Sequence, residues 1–125
     1  MFTVRPEITY ERRVDVEIPS TKRPGHFDTE SFYATFRTLP VDRAQEIAAA
    51  YSAAPGAGST DYVNDLMHEV VVDWREVQDE QGGRLPFSTE ALDQLLQVPF
   101  ARAALMQAYI DSLSGRAVKA RATGN

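Results

Sequence analysis

The 125-residue chain contains no cysteine, which excludes disulfides, thiolate metal sites and cysteine nucleophiles. That composition is compatible with a reducing cytosol. Histidine is nearly absent as well: His26 and His68 are the only two, and a metal centre wants two histidines or a defined carboxylate set with a third ligand nearby. No uninterrupted apolar run approaches the ~20 residues needed to span a bilayer. The opening MFTVRPEITYERRVDV lacks a cationic stretch followed by an apolar one, so a secretory signal is not expected. The formal net charge of −5 argues against a general nucleic-acid binder, because phosphate contacts need clustered Lys and Arg. Gly56-Ala57-Gly58 and Gly82-Gly83 lack the lysine, spacing and strand context of a phosphate loop. The expectation is one soluble, intracellular domain that binds neither nucleic acid nor membrane.

What is present is local structural pattern. From Ile8 to Ile18 the chain alternates with a period of two: Ile8, Tyr10, Val14, Val16 and Ile18 share one face, interrupted by Arg12. This predicts a half-buried strand. Two prolines and a glycine in Pro19–Gly25 break it. A second strand is expected around Ser31–Thr38, where Phe32, Ala34 and Phe36 alternate with Tyr33, Thr35 and Arg37. Together they predict an antiparallel hairpin with a long, basic, mobile loop carrying Lys22 and Arg23. A lone hairpin is marginal in water, so its aromatic face must pack on helices. After Leu39-Pro40 the period becomes helical, with Val41, Ala44, Ile47, Ala48 and Tyr51 on one stripe. Pro55–Ser59 reads as a connector, and Thr60 or Asp61 as the cap of a second helix through Tyr62, Leu66, Met67 and Val70. The β-branched run Val70-Val71-Val72 leaves room for a short strand leading into Trp74.

The stretch Trp74–Leu113 carries the clearest structural logic. Gly82-Gly83 reverses the chain, and Leu85-Pro86-Phe87 leads into Ser88, an N-cap with Glu90 in the first turn. Phe87 and Leu92 stand at the spacing of a hydrophobic staple. Val98-Pro99 separates this helix from a last one, for which Pro99 suits the first position. In that last helix Phe100, Ala103, Met106, Ile110 and Leu113 form a stripe, and Leu105, Ala108 and Tyr109 widen it. An apolar surface broader than one amphipathic face implies central burial or a partner on the second side. The fold class that follows is α+β: an N-terminal antiparallel β-hairpin (8–38) packed on a bundle of about four α-helices (41–113), with a short strand allowed near Trp74. Residues 1–114 make one domain. Residues 115–125, with three basic groups and no acid after Gly115, read as a disordered basic tail.

Polar clusters give little chemistry. Asp61, Asp65, His68 and Glu69 share part of a helix face, for which a solvated face is the ordinary explanation. Asp73, Glu76, Asp79 and Glu80 surround the glycine turn but lack the order and the distal glutamate of a calcium loop. No serine has a nucleophile-elbow setting. Catalytic, cofactor and metal residues are therefore expected to be none. The candidate partner-binding anchors are Trp74, Phe87, Phe100, Leu105 and Tyr109, although core packing is the simpler role for each taken singly.

These residues resemble a known family. W-x-x-V-x-D-E-x-G at 74–82, L-P-F-S-x-E at 85–90, a leucine-rich helix and PFARAALMQAY at 99–109 look like phage tail assembly chaperones. The upstream half agrees in layout, with a hairpin ending FYATFRTLP, an Ala-rich helix and a second helix leading into the tryptophan. The resemblance runs from about Val14 to Leu113 and rests on structural rather than catalytic residues. It implies a non-enzymatic protein of a long-tailed bacteriophage or prophage, acting in the host bacterial cytoplasm and absent from the mature virion. Its implied partners are the tape measure protein, which it would keep soluble, and the tail tube protein, whose polymerisation it would promote. It leaves a homo-oligomer open and makes the basic tail a suitable place for a frameshifted extension. The alternatives are a structural virion component of the tail or head–tail connector, and, further off, a small enzyme or ligand-binding regulator.

Overall fold

A computed structural model of the chain describes residues 1–52 and 58–115, without side chains at 52 and 58–61. Three strands and four helices follow in the order β1 (Thr9–Pro19), β2 (Phe27–Arg37), α1 (Val41–Ser52), α2 (Gly58–Val70), β3 (Val71–Arg75), α3 (Thr89–Leu96) and α4 (Pro99–Ser112). The strands form one antiparallel sheet ordered β1-β2-β3. The α+β class, the hairpin packed on helices and the short strand at Trp74 are all present.

The period-two pattern of the hairpin translates directly into burial. Val14 and Val16 of β1, and Phe32, Ala34 and Phe36 of β2, point into the core, while their neighbours point out. Register runs Tyr10↔Phe36 through Val14↔Phe32 to Pro19↔Phe27. The second strand therefore begins four residues earlier than Ser31, and the distal part of the hairpin, Phe27–Glu30, is exposed. Cross-strand pairing holds it where side-chain alternation gives no signal: Thr29 Oγ1 donates to Glu17 and Ser31 Oγ to Asp15. Local hydrogen bonds shape the loop between the strands. Ser20 N–H donates to His26 O at 2.8 Å, and Ser20 Oγ accepts from the N–H groups of Lys22 and Arg23, so a serine turn closes it.

β3 adds to β2 with Ala34 opposite Trp74, and a register shift after Thr35 skips Val72. Trp74 is the hub of this corner. Its ring meets Phe32 and Phe87 edge-on, with centroids 6.3 Å and 5.2 Å away, and its Nε1–H donates to Leu85 O at 2.9 Å. One side chain thus pins the Leu85–Phe87 segment and sets the entry into α3. That helix begins as its sequence predicts, with Ser88 Oγ accepting from Ala91 N–H at 3.0 Å. On the helical side, Val41 and Ala48 are exposed, so α1 buries only Ile47 fully. The α2 backbone is helical from Gly58, which places Thr60 and Asp61 inside the helix rather than at its cap. Residues 53–57 and 116–125 lie outside the described residues; of the expected connector Pro55–Ser59, Gly58 and Ser59 instead open α2. Arg37 ties the sheet to α2: it donates to the Glu69 carbonyl and carboxylate, and Arg43 of α1 joins the same carboxylate. No helix among the described residues is long and apolar enough to cross a membrane.

Candidate docking surface

α4 buries one apolar face and leaves further apolar side chains on its outer side, interspersed with Gln107 and Asp111. Ala101, Leu105, Ala108 and Tyr109 are buried against the sheet and α3. The two alanines let the helix backbone approach closely, the Tyr109 ring packs 5.5 Å from Phe36, and Tyr10 Oη and Ser112 Oγ are hydrogen-bonded at 2.8 Å. Arg102 donates to Asn64 Oδ1 at 2.6 Å and fixes the helix's rotation against α2. With that rotation set, the stripe that stood first in the sequence faces outward except at Met106, which is half-buried against the core. Phe100 is 43% exposed, Ile110 47% and Leu113 66%, and Val98 just before the helix is 45% exposed. Phe100, Ala103, Ile110 and Leu113 stand three, seven and three residues apart on the outer side of the helix, with exposed Gln107 among them donating to Asp111.

Four of the five anchors named from sequence are accordingly repositioned. Trp74, Leu105 and Tyr109 are core residues, and half-buried Phe87 closes over Trp74. Of the five, Phe100 alone stands exposed on the surface. Ile110, Leu113 and Val98 were not among the anchors, although the breadth of apolar surface on this helix was visible in the sequence. The spacing of two interleaved stripes was the available signal; which stripe faces inward depends on the sheet.

Beside the start of α4 lies an open groove of 1410 Å³. Its lining comes from β1, β2, the turn after β3 and both last helices; half-buried Ile18, Val77, Leu85 and Leu95 are its accessible apolar part, over buried Val16, Phe32 and Ala101. Val98, itself 45% exposed, lines the groove as well. The rim carries Glu30, Glu76, Asp79 and Glu80, with Arg84 as its lining base. Glu76 sits at φ +66°, in the left-handed region that costs a side chain about 1 kcal/mol. Asp79 is engaged by its own turn: Oδ1 accepts from the N–H groups of Gln81 and Gly83, and Gly82 supplies the positive φ. The acidic cluster is thus partly a turn-stabilising device.

The other polar groups have structural partners. His68 Nε2 lies 2.6 Å from Asp93 Oδ1, joining α2 to α3, and Asp73 accepts from the Trp74 N–H. Arg75 covers the Tyr33 ring at 3.9 Å and forms a two-point pair with Glu11; this hydrogen bonding holds the Glu11 carboxyl below the usual glutamate value and the guanidinium above its own. Burial pushes the Tyr109 phenol up. Among the described residues, no group of three or more His, Asp or Glu side chains could hold a metal ion.

No family model matches the chain, and neither a curated protein nor a solved structure is detectably similar to it.

Proposed function

We propose that the chain is a non-enzymatic tail assembly chaperone of a long-tailed bacteriophage or prophage, covering apolar helical segments of the tape measure protein in the host cytoplasm. The observation that carries this reading is the second apolar face of α4, with Phe100, Ile110 and Leu113 left uncovered by the protein's own fold. A helix-in-groove contact, in which one amphipathic helix lies along another's apolar surface, uses such a face. The motifs at 74–82, 85–90 and 99–109 supply the phage context. Promotion of tail tube polymerisation belongs to the same proposal, with the tube protein as second partner.

Co-expression tests it. The tape measure protein encoded with this chain is expected to be soluble when the wild-type chain is present and insoluble when it is absent. Solubility that does not depend on the chain refutes the reading. Mass spectrometry of purified particles separates the chaperone from a structural tail or connector component, since a chaperone leaves before the particle matures and a component remains.

A further inference from the structure

We infer that the acidic-rimmed groove beside α4 receives a cationic amphipathic helix of the partner protein, with Lys or Arg on both sides of its apolar stripe. This deepens the chaperone reading and rests on it for the identity of the partner. The accessible apolar lining is Ile18, Val77, Leu85 and Leu95, all half-buried, with exposed Val98, and the rim sets four carboxylates against one guanidinium. A purely apolar ligand would gain nothing from that rim, and an anionic one would be repelled by it. Complementary charge is what discriminates between ligands of equal hydrophobicity. Glu76 holds its place on the rim in a backbone conformation that glycine adopts more cheaply, and Glu30 of β2 lines the same groove.

The full-length chain is titrated with three synthetic helical peptides that share one apolar pattern and differ only in Lys, Gln or Glu flanks, followed by fluorescence anisotropy. The Lys peptide is expected to bind about ten-fold more tightly than the Glu peptide. That margin shrinks as salt rises from 50 to 300 mM and the Debye length shortens. In the double variant Glu76→Lys/Glu80→Lys, with an unchanged circular dichroism spectrum, the preference inverts. Equal binding of the three peptides overturns the inference, and so does a Lys preference that survives the charge reversal. If the Lys peptide binds only after Arg116, Lys119 and Arg121 are changed to Gln, the chain's own basic segment is the occupant and the partner assignment falls. A groove closed by a second copy, seen as peptide binding that strengthens on dilution, overturns it too. The two readings fail separately. Selective peptide binding without tape measure solubilisation refutes the chaperone function alone. Solubilisation untouched by Glu76→Lys/Glu80→Lys refutes the groove's charge selection alone.

Discussion

The two faces of α4 predict that stability and binding can be separated by substitutions five residues apart. Leu105 is fully buried, and truncating such a leucine to alanine costs the transfer energy of the lost atoms plus the cavity left behind, about 3 kcal/mol. For a domain of this size each kcal/mol lowers Tm by roughly 4 °C, so Leu105→Ala is expected to melt about 12 °C early. Ile110 is 47% exposed and sits in the last turn of a helix with no basic residue there. Ile110→Lys therefore removes only part of a burial contribution and places a cation where the helix dipole favours one, by about 0.3–1 kcal/mol. These terms nearly cancel, and Tm should move by less than about 3 °C. The assay pairs calorimetry with tape measure co-expression. Leu105→Ala, below its lowered Tm, should still solubilise the partner; Ile110→Lys should fold normally and fail. A drop of more than about 6 °C in Ile110→Lys would mean that this face is packed in the free chain. Normal solubilisation by a folded Ile110→Lys would remove the outward stripe of α4 from the binding surface.

Three further outcomes follow from local geometry. Removing the N-cap of α3 by Ser88→Ala leaves Ala91 N–H without its side-chain acceptor and should cost about 1 kcal/mol in a urea melt. Glu76→Gly relieves the left-handed backbone at φ +66° but adds chain entropy to the unfolded state, for a net change within about 1 kcal/mol; a loss beyond 2 kcal/mol would show that the Glu76 side chain holds the turn together. The raised phenol of Tyr109 means that the native state favours the protonated form. Its contribution is complete below the unfolded value near 10 and is lost as pH rises from there through the folded value. Alkaline melts of wild type should fall more steeply above pH ~10 than those of Tyr109→Phe, and parallel curves would contradict the assignment.

Periodicity and capping chemistry determined much of this protein without tertiary information. The alternation at Val14-Val16 and Phe32-Ala34-Phe36 specifies which side of each strand is apolar, because successive strand side chains point to opposite faces. Ser88 and Pro99 mark helix starts for reasons confined to the backbone groups around them. The breadth of apolar surface on α4 was equally legible. What periodicity does not hold is the pairing partner. The early start of β2 at Phe27 depends on cross-strand contacts with Glu17 and Asp15, and β3 exists because β2 offers its edge to a run that also suits a helix end. The burial of Trp74, Leu105 and Tyr109 follows from the same source. Two apolar stripes on one helix are equivalent until a sheet selects between them. Ala101 and Ala108 allow the close approach, Phe36 and Tyr10 meet the Tyr109 side, and Arg102 fixes the rotation on Asn64. Sequence alone set how much apolar surface α4 carries; tertiary packing decided which half of it remained on the outside.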